Sequence, residues 1–449
     1  MPEDGSFGSG EQNRRTMLKV VGGTGVAALS GLAGCSSGNG SGSSSQSTSS
    51  SSSMSSSSSS SSTSASASSS ASASASVKVG FLHPLSGPYA GLGKAQQKGA
   101  KIAVDHVNND LGGINGKKVK AIYEDTTGDP STGRSKAKKL VESNGVDVLI
   151  GGLVGAVALS VEDYAYGAKT VYFPYGGTER ITGSKCKPTT FRYENSVGQG
   201  ANAGSQWALN KFGKNVWVHH SENSFGQSIN KYWQQSIKSA NANIVGVTKT
   251  KVGASDFSSY INQIQSSKAD WLLMAFSGSM AINFLKQAQQ YGLPKKVKIM
   301  STVNGYQPLR QGAGDALLNT YALIRYSRHM DNAENKKLVK AHTKAYGYPP
   351  NDFAAVMWSS LLMYAKGVEN AGSTATKKVI PALEGLTMDL PMGSVKMRAC
   401  DHQALRDLPV GGIVKGSDYK WPDLKVDKVQ KGADITRPCS QTNCNMPSL

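Results

Sequence analysis

The chain has 449 residues and carries 49 Lys and Arg against 30 Asp and Glu, a formal net charge of +19. Such a balance raises nucleic acid, an anionic membrane and an anionic ligand as partners, but the lysines are scattered, with Lys-Lys pairs at 117–118, 138–139, 295–296, 336–337 and 377–378. No aromatic-interleaved basic stripe accompanies them, so nucleic acid is excluded and a solvated basic surface is the simplest reading; a salt-saturated exterior is disfavoured too.

The first element, Arg14 to Cys35 (RRTMLKVVGGTGVAALSGLAGC), reads as an address and not as part of a fold. Arg14-Arg15 before Met17-Leu18-Lys19 resembles a twin-arginine export signal, and the apolar run Val20 to Ala33 is too short to span a bilayer as a helix of about 20 residues. A buried apolar helix is the rival reading, weakened by Gly22, Gly23 and Gly25. Leu32-Ala33-Gly34-Cys35 resembles a lipobox, which makes Cys35 the lipidated residue and places the protein on the outer face of the cytoplasmic membrane. Residues 36–76, almost wholly Ser with Ala, Gly and Thr, offer no apolar surface to offset ordering entropy and read as a flexible linker. A coil of about 41 residues has a root-mean-square reach of roughly 35 Å.

The remaining chain, from Val77 to Leu449, exceeds the roughly 250–300 residues at which one core stops growing, so two lobes and a cleft are expected. Short β-rich runs alternate with helix-period segments. VKVGFLHPL leads into Ser86-Gly87-Pro88 and a helix with apolar residues at Leu92, Ala95, Gly99, Ile102 and Val107. VKAIYED, a helix near 132–143, VDVLIGG, a helix near 157–166 and TVYFPY follow. A second series opens with NVWVHH and continues through NIVGVTKTKV, ADWLLMAF and KVKIMS, with helices near 227–240, 257–266 and 280–291 between them. After YALIRYS come helical stretches near 332–346, 353–371 and 376–386 and then short strands with Pro and Gly. Repeated βαβ units pack as parallel sheets with helices on both faces, so the fold class is α/β with two Rossmann-like lobes. Ligands in such sheets sit beyond the carboxyl ends of the strands.

No enzyme constellation is found: there is no GxSxG, no HExxH and no cysteine beside a plausible base. The stretch Gly128 to Ser135 has P-loop glycine spacing but Arg134 replaces the required Lys. His219-His220 end a strand and face opposite ways, which disfavours a shared metal, and His402 reads as a loop tie. With Cys35 lipidated, Cys186, Cys400, Cys439 and Cys444 remain for disulfides in an oxidising compartment, with three pairings possible. The short Cys439 to Cys444 separation makes a local bridge the simplest, leaving Cys186 with Cys400. A four-cysteine zinc site lacks the usual C-x-x-C spacing.

Seven phrases at the strand ends carry a resemblance in register from about residue 79 to 414: GFLHPLSGPYAGLGKAQQKGAKIAVDHVNNDLGGINGKKV, EDTTGDPSTG, LIGGLVGAVALSVEDYA, PYGGTERITGSKCKPTTFRY, SFGQSI, AGSTATKKVIPALEG and MRACDHQAL. Together they resemble the branched-chain amino acid-type (Leu/Ile/Val) binding proteins of ABC importers, the type I periplasmic-binding-protein fold. The resemblance implies a three-crossing hinge near Arg192–Ser196, Tyr321–Ser327 and Met392–Lys396. The lobes are then 77–195 with 325–394, and 196–324 with 395–430, followed by a cysteine-containing tail at 431–449.

It also implies a solute-binding, non-enzymatic monomer without cofactor or metal, handing a small ligand to a permease and its ATPase. A sensing module of the same fold is the alternative, and neighbouring permease or receptor genes would separate the two. Residue by residue, the ligand site falls on Tyr89, on Val154, Gly155 and Ala156, and on Tyr175, Gly176, Gly177 and Thr178. The second lobe adds Phe225, Phe276 and Asn304. Relatives often carry Ser where Val154 and Gly155 stand and an acid where Asn304 stands. A buried ammonium needs a paired charge, so a zwitterion clamp is weakened and a grip by backbone amides and aromatics is expected, with Phe225 as an anchor.

Overall fold

The computed structural model describes residues 76–449; the twin-arginine segment, Cys35 and the linker up to residue 75 lie outside the described residues. The first lobe opens with β1 (Val77–His83), α1 (Ala90–Asn109), β2 (Val119–Asp125), α2 (Pro130–Lys138), β3 (Val148–Gly151), α3 (Gly155–Gly167) and β4 (Val171–Pro174). These strands form a parallel sheet in the order β2-β1-β3-β4. β1, β3 and β4 read as near-continuous apolar runs because helices cover both faces. Asp129 caps α2 by accepting from the Thr132 amide at 2.8 Å. Gly133 lets α2 lie against Val157 of α3: a Cβ there would come within 2.6 Å of that side chain. The P-loop-like stretch therefore serves helix capping, through Asp129, and packing, through Gly133.

The second lobe comprises α4 (Val197–Phe212), β5 (Asn215–Ser221), α5 (Ser224–Ser239), β6 (Asn243–Thr250), α6 (Ser258–Gln265), β7 (Trp271–Ala275), α7 (Gly278–Gln290), α8 (Leu293–Lys296), β8 (Lys298–Ser301), α9 (Gln307–Ala313) and β9 (Tyr321–Leu323). The chain then returns to the first lobe with α10 (Ala333–Tyr346), α11 (Asp352–Ala371), α12 (Thr376–Leu383), β10 (Thr387–Leu390), β11 (Gly393–Met397) and β12 (Ala404–Leu405), and goes back with β13 (Leu408–Val414) and β14 (Asp423–Gln430). The larger sheet runs β14-β13-β9-β8-β7-β5-β6, with β13 antiparallel to both its neighbours. The late helices complete the first core. In α11 Trp358, Leu361 and Tyr364 are fully buried with Val79, Phe81, Ile150 and Phe173, and α1 approaches so closely that a Cβ at Gly99 would meet the Ala354 Cα at 2.3 Å.

The chain passes between the lobes after β4 and again after β9. The third passage does not lie at Met392–Lys396. Gly393, with φ of 103°, sits at the turn between β10 and β11, whose Met392, Val395 and Met397 are buried in the first core; the chain changes lobe at 405–408. The three passages lie side by side. The Arg192 amide donates to the His402 carbonyl and the Ala404 amide to the Arg192 carbonyl, both at 2.9 Å, while the Ile324 amide reaches the Pro409 carbonyl at 2.8 Å. His402 is a tie in this bundle, stacked on Phe191 at 4.0 Å and 3.0 Å from Glu384.

The cysteines pair as Cys186–Cys444 and Cys400–Cys439, not as the local Cys439–Cys444 bridge with Cys186–Cys400. A 3₁₀ turn at Cys439–Gln441, tied by the Thr442 hydroxyl donating to the Cys439 carbonyl at 2.8 Å, sends the two cysteines to different partners. The tail thus leaves β14 through a short helix, α13 (Gly432–Ile435), held to α4 by Asn202, and ends on the first lobe. There the Tyr166 hydroxyl donates to the Ser448 carbonyl at 2.7 Å and Leu449 packs on the core.

Candidate functional site

The strand ends of the first lobe bring most of the expected loops together. Gly151 and Gly152 have φ of 127° and 76°, and a Cβ at Gly151 would lie 2.1 Å from the Leu82 carbonyl oxygen, so only glycine lets β3 turn this closely into α3. Val154 stands as the N-cap of α3 with no side-chain cap, followed by half-buried Gly155 and exposed Ala156. Tyr89 leans over Gly128 beside Val154, and Gly155 faces the Thr178 side chain, a Cβ there reaching it at 3.3 Å. Tyr89, Val154, Gly155, Ala156 and Thr178 form one ridge.

The next loop is held from behind. The Arg192 guanidinium donates to the Gly176 and Thr178 carbonyls at 3.3 and 2.6 Å, and the Gly177 carbonyl accepts from the Val197 amide at 3.0 Å. Tyr175 is buried: its hydroxyl donates to Asp352 Oδ2 at 3.0 Å and its ring stacks on Phe353 at 5.4 Å.

On the second lobe Phe225 is half-buried in the first turn of α5, where Asn223 caps by accepting from the Gly226 amide at 2.9 Å. Phe276 is not at the cleft surface. It is 1% exposed, stacked on Phe257 at 5.7 Å and edge-on to Phe284 at 5.4 Å, because β7 is covered on both faces and this position falls on the core side. Asn304 is also turned inward, its Nδ2 donating to Thr320 Oγ1 and the Tyr321 carbonyl, both at 3.1 Å, so it braces the β8–β9 connection. Asn304→Asp is therefore expected to lower stability by about 1–3 kcal/mol, through two lost donors and a buried carboxylate, whether or not ligand is present. An urea midpoint equal to wild type would return this position to the ligand site.

The residue that the loops converge on was not among the expected ones. Arg325 follows β9 on the second passage. A Cβ at Gly177 would lie 3.7 Å from its Nη2, it donates to the Tyr306 hydroxyl, and its guanidinium lies 5.5 Å from the Tyr306 ring centroid and 6.0 Å from that of Tyr175. Tyr306, from the second lobe, meets Phe353 of the first edge-on at 5.3 Å. Glu194 Oε1 is 2.8 Å from Arg325 Nη2 and Glu194 Oε2 is 3.1 Å from Arg406 Nη1, while Arg406 also donates to the Arg325 carbonyl. Burial opposes the Arg325 charge, but Glu194 and the neighbouring acidic groups outweigh it and hold its pKa above the ordinary value. Burial pushes Asp352 up to about 6 against the pull of Arg325. The sequence signal was a lone charge in the apolar crossing YALIRYS.

A separate cavity of about 470 Å³ lies by the tail, lined among others by Glu179, Gln199, Tyr232, Arg398 and Arg437. Its charges are already paired, Glu179 with Arg437 at 2.9 Å and Arg398 with Asp401.

Two α/β lobes, joined by adjacent passages and meeting at the strand ends over a set of loops, aromatics and one cation, define a two-lobed solute-binding protein of the type I fold. The chain belongs to the periplasmic binding protein family, whose profile matches residues 76–418. A leucine-, isoleucine-, valine-, threonine- and alanine-binding protein of Pseudomonas aeruginosa is 27% identical over 325 residues, covering 71% of this chain and 85% of that protein. Among solved structures, an amino acid ABC transporter substrate-binding protein from Pseudomonas fluorescens Pf-5 is similar with a TM-score of 0.74 at 23% identity, covering 82% of this chain and 98% of that one. A solute-binding protein of an ABC transporter from R. palustris, in complex with benzoate, is similar with a TM-score of 0.69 at 24% identity, covering 79% and 99%.

Proposed function

We propose that this protein is the extracytoplasmic solute-binding subunit of an ABC importer, a monomer that captures a small organic ligand between its lobes and hands it unaltered to a membrane permease. The observation that carries the reading is the convergence of the Val154–Ala156 and Tyr175–Thr178 loops of one lobe with Tyr306 of the other around a residue of the hinge itself. Closure on a ligand there buries it and changes the outer surface that a permease reads. The proposal includes export by the twin-arginine segment and a lipid on Cys35, which keeps the subunit near its partners. Relatives named for amino acids and neighbours bound to aromatic acids supply the candidate ligands.

A thermal-shift screen of the mature protein against amino acids, amides and small carboxylates tests the reading. A true ligand at a hundredfold excess over Kd stabilises by about 2.7 kcal/mol and raises the midpoint. Absence of a shift with every class would count against solute binding.

A further inference from the structure

We propose that Arg325 is the specificity-determining cation of the cleft, holding the carboxylate of an aromatic or similarly apolar organic acid and so selecting such acids over zwitterionic amino acids. The inference rests on the solute-binding reading and narrows its ligand class.

Position comes first. Arg325 belongs to neither lobe's interior but to the passage between them, and it lies beside Gly177 on one side and bonds Tyr306 on the other. A ligand oxygen bound to it is thus in reach of both lobes. Its side chain keeps 12% exposure, so it is not sealed in the core.

The donor inventory is second. A guanidinium carries five N–H donors in a fixed fork suited to a carboxylate. Among the described residues the Arg325 guanidinium donates one hydrogen bond, to Tyr306. Glu194 neutralises charge at 2.8 Å, yet its Oε1 accepts no hydrogen bond of acceptable geometry, and its Oε2 is engaged by Arg406. The fork therefore has N–H groups uncommitted, which in a closed cleft need an acceptor.

The third observation is what an ammonium group would lack. Asn304 is turned away, Glu194 lies between two guanidiniums, and Asp352 is buried under the Tyr175 hydroxyl with its proton more tightly held than usual. Two guanidiniums against Glu194 and a reluctantly ionised Asp352 favour an added anion and disfavour an added cation. Beside the fork stand the rings of Tyr175 and Tyr306, which suit an apolar body behind the carboxylate.

The rival account is a purely structural Arg325 that only fastens Tyr306. Calorimetry on the full chain separates the two, using benzoate, 4-hydroxybenzoate and hexanoate, their uncharged amides benzamide, 4-hydroxybenzamide and hexanamide, and leucine and valine. At least one acid is expected to bind about tenfold or more tighter than its amide and than either amino acid, because a charge-assisted hydrogen bond lost with the amide is worth a factor of that order. Arg325→Gln is expected to abolish that preference and Arg325→Lys to weaken it, whereas Tyr306→Phe, which keeps the ring, retains it. If Arg325→Gln does not fold, the acid-to-amide ratio of the unaltered protein still decides. Equal affinity for acid and amide, tighter binding of leucine or valine, an unchanged preference in Arg325→Gln, or no binding of any acid would each overturn the proposal. In the leucine or valine case the solute-binding reading survives, and that reading fails only if the wider thermal-shift screen finds no ligand.

Discussion

Replacing Cys186 and Cys444 together by Ser is expected to lower the urea midpoint more than replacing Cys400 and Cys439. The bridges span sequence separations of 258 and 39 residues. In the chain-entropy account the unfolded state gains freedom with the logarithm of the loop that is released, giving upper values of about 5.6 and 3.9 kcal/mol. The bridge that stays still ties the tail to the first lobe, so losses of roughly 2–4 kcal/mol are the working expectation, with the longer loop ahead. The slope of the transition should also rise, because the released chain exposes more surface. The reverse order of the two variants would mean that native packing of the tail, and not the restriction of the unfolded chain, carries the effect.

Glu194→Ala is the second large effect. Glu194 is fully buried and contacts both Arg325 and Arg406, themselves 12% and 1% exposed. Removing it leaves two guanidiniums of like charge without a counter-ion, a change that costs about 3–5 kcal/mol in buried pairs. Much of that is the penalty of the stranded charges, so a second substitution, Arg406→Met, should return part of the stability in the Glu194→Ala background. Differential scanning calorimetry of the single and double variants measures the coupling. A Glu194→Ala protein within about 1 kcal/mol of wild type would mean that water already reaches and screens the cluster.

The βαβ alternation was readable because its signal is local. Apolar runs such as VDVLIGG and TVYFPY stand out, helix-period segments separate them, and the strand ends then follow from topology. The ridge of Tyr89, Val154, Gly155, Ala156 and Thr178 lies on those ends. Phe276 and Asn304 went astray for one reason: a strand-end residue faces the cleft or the core according to a rotation of one position, and the sequence does not fix that rotation. The resemblance to the binding-protein family put a lobe passage at Met392–Lys396, but these residues make a hairpin turn. The cysteine pairing depended on where a distant tail docks. Arg325 and Glu194 are 131 positions apart in the chain, and no local pattern announces that they meet.

The tail sets a mechanical limit on the clamp. Thr436 is still fastened to α4 by Gln199, whereas Arg437 is already paired with Glu179 and Cys439 is bonded to Cys400. Between the last anchor on one lobe and the first covalent anchor on the other lie three residue steps, a contour of about 10 Å at most. Along this side the lobes are leashed at short range, so any wide rotation has to pivot near the tail and swing the far rim, like a book opened against its stitched spine. Travel at the mouth then comes from leverage and not from separation of the halves.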